Sequence, residues 1–140
     1  MKVVVATGVF DILHPGHILY LEEAKKLGDK LVVIVARDKT IEHRKKPVTG
    51  ERQRLAVVSA LKPVDEAILG DHEDMYKPII EINPDIVALG RNQHFKEEEI
   101  REELKKRGLK AKVVRIEEHL EGDLNSSSKI VEKIKREKCI

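Results

Sequence analysis

Residues 3–21 read Val3-Val4-Val5-Ala6-Thr7-Gly8-Val9-Phe10-Asp11-Ile12-Leu13-His14-Pro15-Gly16-His17-Ile18-Leu19-Tyr20-Leu21. The run Val3 to Ala6 is too short for a helix and too uniformly apolar for a half-exposed strand, so it predicts a buried strand of a parallel sheet. From Ile18 onward apolar residues recur at helical spacing, at Ile18, Leu21, Ala24 and finally Leu27, with Glu22, Glu23, Lys25 and Lys26 on the other face. A helix is expected to begin at His17 and to end at Gly28. A strand running through a tight turn into a helix aims free amides and the positive end of a helix dipole at the strand's end, where open α/β sheets hold phosphates. Gly16 lets a phosphate approach the backbone, and Pro15 fixes the turn. His14 and His17 lie three apart, so both rings reach one cavity and can donate to charge developing on a phosphate. The spacing also fits a metal pair, but no neighbouring cysteine or carboxylate cluster supports zinc.

The rest of the chain alternates strand and helix. Strands are expected at Leu31 to Ala36, Glu66 to Leu69, Asp85 to Leu89 and Ala111 to Ile116. Helices are expected at Arg52 to Leu61, Met75 to Ile82, Glu97 to Arg107 and Ser126 to Lys138. The third of these strands follows Asn83-Pro84, which stops the helix before it; Gly108 closes the charged helix before the last strand. Five strands with intervening helices predict an α/β fold, a Rossmann-like doubly wound parallel sheet in one domain spanning 1–140. No repeat, low-complexity tract or linker interrupts it.

Composition excludes several classes. Basic and acidic residues number 27 and 25, a net +2, which gives no global argument for nucleic acid. No apolar run is long enough to cross a membrane. Met1-Lys2 enters a core strand directly, so no signal peptide is expected. One cysteine, Cys139, permits no internal disulfide and is expected to be a free, mobile thiol. A cytoplasmic protein is expected. A charged fraction of 37%, mostly Lys and Glu, is a bias of hyperthermophile proteins and points weakly to a thermophilic source.

Further segments carry candidate chemistry. Arg44-Lys45-Lys46-Pro47-Val48-Thr49-Gly50-Glu51-Arg52 lies between a strand and a helix at the carboxyl edge of the sheet. Ser126, Ser127 and Ser128 open the last helix, where capping and anion binding use the same amides. Gly90-Arg91-Asn92-Gln93 follows the fourth strand; Asn92 can hydrogen-bond a base or ribose, and Arg91 can bind a phosphate or face solvent. His43, His72 and His94 carry no motif and read as surface or loop residues.

His14-Pro15-Gly16-His17 resembles the HxGH signature of the nucleotidyltransferase superfamily, in its cytidylyltransferase-like branch. Thr7-Gly8-Val9-Phe10-Asp11 resembles that family's G-x-F-D segment, and Val64-Asp65-Glu66-Ala67-Ile68 its V-D-E-V-I strand. Asn125-Ser126-Ser127-Ser128-Lys129-Ile130 resembles its second motif, a Ser/Thr run opening the last helix. The likeness spans nearly the whole chain, with matched motifs at both ends. It implies in-line attack of an acceptor's phosphate oxygen on the α-phosphorus of a nucleoside triphosphate, without a covalent intermediate. His14 and His17 would stabilise the transition state, and Lys45 or Lys46, which the sequence does not separate, would contact the triphosphate. Ser126 to Ser128 would hold the β- and γ-phosphates. The backbone of Gly8, Val9 and Phe10 would pass the nucleotide, beside Pro15 and Gly16. His119 is the nucleotide-facing candidate of its loop. Asp11 would order the loop or attend the acceptor, with Arg91. Arg52 resembles the arginine of the family's E-x-R segment.

Among branches, the chain resembles most the archaeal-type enzymes that join AMP from ATP to FMN, giving FAD. Arg91 and Asn92 replace the acidic residues of the glycerol-phosphate branch, and no arginine precedes the Ser/Thr run. Transfer of CMP from CTP to glycerol 3-phosphate or a similar alcohol phosphate is the alternative, and a non-catalytic nucleotide sensor is a reading of another class. tRNA binding, through the distant likeness to class I synthetases, lacks an appended RNA domain. Only Phe10, Tyr20, Tyr76 and Phe95 are candidates to stack on an isoalloxazine. The resemblance implies a divalent cation, Mg²⁺ by preference, and a homodimer.

Overall fold

The computed structural model describes residues 1–41, 47–91, 93, 95–119, 122 and 124–137. Strands β1 (Val3–Gly8), β2 (Lys30–Val35), β3 (Glu66–Leu69), β4 (Ile86–Leu89) and β5 (Lys112–Arg115) form one parallel sheet in the order β3-β2-β1-β4-β5. The helices are α1 (Pro15–Lys26), α2 (Glu51–Ser59), α3 (Lys77–Ile82), α4 (Glu97–Lys106) and α5 (Ser127–Glu137). The strand order is that of a doubly wound sheet: it grows one way from β1 to β3, then returns to the far side of β1.

Each strand alternates its side chains between two apolar layers, because successive residues point to opposite faces. Val4, Ala6, Leu31, Val33 and Val35 pack with Leu21 and Ala24 of α1 and Val58 of α2. Val5, Val32, Ile34, Val87 and Leu89 pack with Ile79 of α3 and Ile100 and Leu104 of α4. This two-sided burial explains why β1, β2 and β4 read as continuous apolar runs.

Several boundaries differ from the expectation. β1 runs on to Gly8, because Thr7 and Gly8 keep their register with Ile34 and Val35 of β2. α1 starts at Pro15, two residues ahead of His17, since proline is pre-organised for the first helical turn. α3 starts at Lys77 rather than Met75. A single 3₁₀ turn at Asp38–Thr40 was not anticipated. Ile18 does not join the core stripe of α1: Leu21 and Ala24 are the buried residues, and Ile18 lines an outer groove with Leu13, Pro15 and Leu19. Gly28 serves close packing and not a left-handed cap, as a Cβ there would stand 2.8 Å from the Lys2 carbonyl oxygen. The left-handed cap is found at Gly108, with φ +87°, as the sequence predicts. α5 buries none of its residues and joins the body through its first turn.

The sheet's switch point lies between β1 and β4. There the β1–β4 pairing stops at Ala6↔Ala88, whereas β1–β2 continues to Gly8↔Val35. The strands part at their carboxyl ends, and the signature turn rises beside that gap.

Candidate active site

His14 is the N-cap of α1. Its Nδ1 accepts the Gly16 amide at 3.1 Å, and the His14 amide in turn donates to Nδ1 of His17 at 3.2 Å. Two orphan donors of the helix start are thus satisfied reciprocally by imidazoles, in the manner of a capping box. The rings lie with centroids 3.9 Å apart. An imidazole Nδ1 that accepts a hydrogen bond carries no proton, so each neutral ring bears its proton on Nε2. Burial lowers the pKa of His14 from the ordinary 6.5, which keeps it neutral near pH 7. Burial therefore favours the neutral form of His14, and the backbone donors select the tautomers of both rings. The glycine between them is obligatory: a Cβ on Gly16 would stand 2.8 Å from Cε1 of His14.

Phe10 supports this pair from below. Its backbone has φ 54°, a left-handed conformation uncommon for a bulky residue. That bend turns the ring inward, where it is 3% exposed and 5.6 Å from the His17 ring. Gly8 makes room for it, since a Cβ at Gly8 would lie 2.8 Å from the Phe10 ring. Phe10 is thereby removed from the aromatic residues available to stack on a ligand.

Tyr20 leaves that set too. Its hydroxyl donates to the Ala88 carbonyl at 2.7 Å and accepts the Thr7 amide at 3.2 Å, bridging β1 and β4 where their ladder ends. Burial raises its pKa above the ordinary 10.0, so it stays a neutral donor. Tyr76 packs under the Arg107 guanidinium, 5.1 Å from ring centroid to Cζ. Tyr76 and Phe95 both lean on the core layer of α3 and α4.

The start of α5 meets the start of α1. The Ser127 hydroxyl donates to the Ile12 carbonyl at 2.8 Å, and the Asn125 carbonyl lies 3.6 Å from a Cβ built on Gly16. Ser126 caps α5, its Oγ accepting the Lys129 amide at 3.2 Å. Ser128 is exposed on the first turn. Two helix N-termini from opposite ends of the chain, those of the 12-residue α1 and the 11-residue α5, thus converge, and each favours anions.

Asp11 orders the next loop. Its carboxylate accepts the amides of Val48 and Thr49 at 2.8 and 3.0 Å and the Thr49 hydroxyl at 2.7 Å. Burial opposes its ionisation, but these bonds and the charge of Arg54 outweigh that cost and hold its pKa below 3.8. Pro47-Val48-Thr49 is the exit of the basic segment, so Asp11 ties that exit to the signature turn. Lys45 and Lys46 themselves, like His43, Asn92, His94 and Cys139, lie outside the described residues.

Two arginines hold the loops that surround the site. Arg54 is 1% exposed. It donates to the carbonyls of Val9 at 2.7 Å, Ala36 at 2.9 Å and Thr49 at 3.0 Å, and pairs with Asp38. Arg115 donates to the carbonyls of Gly90 and Gln93, each at 2.7 Å, and to that of Phe95, and pairs with Glu97. The first gathers the turns after β1 and β2 and the start of α2; the second gathers the turn after β4. The buried arginine of α2 that holds these loops is therefore Arg54, whereas Arg52 is exposed. The spacing contains the signal: Arg54 stands one helical turn before Val58, on the buried stripe. Arg91 and His119 are exposed.

Gln93, which the sequence reading passed over, closes the gap between β1 and β4. Its Oε1 accepts the Gly90 amide at 2.6 Å and its Nε2 donates to the Thr7 carbonyl at 3.0 Å.

The cytidylyltransferase-like family model matches residues 5–133. A FAD synthase of Ferroglobus placidus is 65% identical over 134 residues, 96% of this chain and 88% of that protein. A FAD synthase of Archaeoglobus profundus is 62% identical over 131 residues, 94% of this chain and 84% of that one. Among solved structures, a lipopolysaccharide core biosynthesis protein of Thermoplasma volcanium superposes with a TM-score of 0.82 at 53% identity, covering 86% of this chain and 99% of that one. The sheet order, the histidine-capped helix and this likeness along most of the sequence agree, and the chain belongs to the cytidylyltransferase-like family.

Proposed function

We propose that this protein is an FMN adenylyltransferase, transferring AMP from ATP to FMN to give FAD and pyrophosphate. The observation that carries the reading is the likeness, at 57–65% identity across nearly the whole chain, to proteins named FAD synthase. The convergence of α1 and α5 on one anion-attracting corner supports the phosphoryl chemistry.

A phosphate oxygen of FMN attacks the α-phosphorus of ATP in line. A new phosphoanhydride bond forms, the bond from the α-phosphorus to its bridging oxygen breaks, and pyrophosphate leaves. No nucleophilic side chain is required, so catalysis is positioning and charge stabilisation. His14 and His17 act as neutral Nε2–H donors to the phosphates, a role that desolvation of His14 favours. The amides of α1 and α5, with Ser126, Ser127 and Ser128, hold the leaving pyrophosphate, assisted by Lys45 or Lys46 from the basic segment. Gly8, Val9, Phe10, Pro15 and Gly16 line the nucleotide path through their backbone, and Asn92 and His119 are assigned to nucleotide binding by the family resemblance. Arg91 faces the acceptor.

ATP enters as its magnesium complex. Among the described residues no group of three or more His, Cys, Asp or Glu side chains could cage a cation. Mg²⁺ commonly rides on substrate phosphates and retains several waters, so such a cage is not needed. No described helix is long and apolar enough to cross a membrane; a cytoplasmic setting is part of the proposal. A homodimer is the expected assembly.

The test is pyrophosphate release with Mg²⁺, pairing ATP or CTP with FMN or glycerol 3-phosphate. FAD formed from ATP and FMN supports the reading. Turnover only with CTP and glycerol 3-phosphate, or none with any pair, overturns it.

A further inference from the structure

At the switch point β1 and β4 stop pairing at Ala6↔Ala88, which deprives Thr7 of its ladder partners on that side. A buried peptide group without a partner is costly. Side chains take over. The Tyr20 hydroxyl receives the Thr7 amide, and Gln93 Nε2 donates to the Thr7 carbonyl at 3.0 Å, with the Thr7 hydroxyl at 3.4 Å. The other end of the same amide, Oε1, accepts the Gly90 amide at 2.6 Å. One planar amide thus donates to β1 and accepts from the end of β4, as a peptide group of an intervening rung would. The loop is folded to make this possible: the Gln93 amide returns to the Gly90 carbonyl at 3.2 Å, and Arg115 fixes both carbonyls of that turn.

We infer that Gln93 is a positioning residue for the nucleoside end of ATP. Its side-chain rung sets the separation between the Gly8-Val9 wall and the Gly90 wall of the crevice. The inference rests on the proposed reaction in requiring a nucleotide. In a doubly wound sheet the ligand lies across this crevice, outside the carboxyl ends of the strands. The starts of α1 and α5 draw the phosphates to one side of β1, so the nucleoside extends over the end of β1 toward Gly90. Gly90 has no side chain to obstruct it, and the Gln93 side chain lies in ordinary contact with it, 3.5 Å from where a Cβ would stand. Gln93 acts through the walls it spaces and needs no contact with the reacting atoms.

The experiment compares Gln93→Met, which keeps the bulk and removes the rung, with Gln93→Glu, which keeps the acceptor for Gly90 and loses the donor to Thr7. Affinity for a non-hydrolysable ATP analogue is measured by calorimetry, alongside KM for ATP and for FMN and the thermal midpoint. Both variants should bind the analogue about tenfold more weakly, the loss expected for a buried hydrogen bond. KM for FMN should stay within about twofold, a split that general destabilisation would not produce. If Gln93→Met fails to fold, Gln93→Glu and slowed hydrogen exchange of the Gly90 amide in the unaltered protein decide the matter. Wild-type affinity in either folded variant, a parallel rise in both KM values, or an unprotected Gly90 amide would overturn the inference. Analogue binding needs no acceptor: if the protein makes no FAD while the affinity responds, only the proposed reaction fails. If it makes FAD and the affinity is unmoved, only the role of Gln93 fails.

Discussion

The His14 amide donates to Nδ1 of His17 across 3.2 Å, while Nδ1 of His14 accepts the amide of Gly16, so the two signature imidazoles cap the helix that presents them. The proposed catalytic position and helix initiation are one set of bonds. Substituting either ring accordingly removes a donor and loosens the turn that carries the other.

His17→Ala should lower kcat by about a hundredfold or more, the scale of losing one preorganised donor. It should also cost about 1 kcal/mol of stability, as for a lost cap. Steady-state kinetics with urea unfolding separates the two effects. A near-normal rate removes His17 from the reaction.

The imidazole tautomers are open to direct observation. Long-range ¹⁵N–¹H correlation spectra should show Nδ1 of both rings unprotonated and Nε2 protonated at neutral pH. His14 should titrate below 6.5, because burial disfavours its cation. A lowered folded-state pKa means that the unfolded chain binds the extra proton first. His14 therefore contributes its full stabilisation above 6.5 and loses it as pH falls from there through the folded value. Titration at or above 6.5 contradicts the assignment.

Arg54→Ala leaves the carbonyls of Val9, Ala36 and Thr49 without their donor and Asp38 without its partner. A loss of about 3 kcal/mol or more is expected. Arg52→Ala, at an exposed position of the same helix, should change stability by about 0.5 kcal/mol or less. Chemical denaturation of the pair tests which arginine supports the fold.

Acid should unfold the protein through a defined set of carboxylates. Asp11 titrates low because bonds from Thr49 and Val48 outweigh burial, Asp65 because it binds Lys25 and the Leu31 amide, Asp71 because it accepts the Glu73 and Asp74 amides, and Asp74 because it binds Arg107 and the Tyr76 amide. Each folded value is depressed, so the stabilisation is complete above the unfolded value of 3.8 and is lost as pH falls through the folded values. Circular dichroism against pH should show a plateau above about 5 and a fall below 3.8. Asp11→Asn should shrink that fall, since an amide takes up no proton in this window.

Tyr20→Phe deletes the hydroxyl that joins Thr7 and Ala88, so the Thr7 amide loses its acceptor and the Ala88 carbonyl that donor. A cost of about 1–3 kcal/mol is expected. Unfolding with unchanged stability would mean that water replaces the hydroxyl without loss.

Much of this was legible in order along the chain. Apolar runs marked the strands because both sheet faces are covered, and Gly8, Gly16 and the two histidines marked the turn because each is forced by local geometry. What local geometry does not contain stayed hidden. Ile18 keeps the helical period of Leu21, yet which face of α1 turns inward is decided by where the sheet lies. Arg54 was overlooked beside Arg52, although its step to Val58 places it on the buried stripe. Phe10 and Tyr20 read as aromatic platforms, but one is bent beneath His17 and the other is spent on backbone groups.

The sequence by itself determined the strand–helix alternation, the switch in period at the signature turn and the residue types of a phosphate site, because these depend on neighbours within a few positions. Only the tertiary structure decided that Ser127 meets Ile12, that Asp11 holds Thr49 and that Gln93 bridges Thr7 to Gly90. Those contacts join residues up to 115 positions apart. For the Gln93 bridge the physical origin is the parting of β1 and β4, which leaves peptide groups that a distant side chain satisfies.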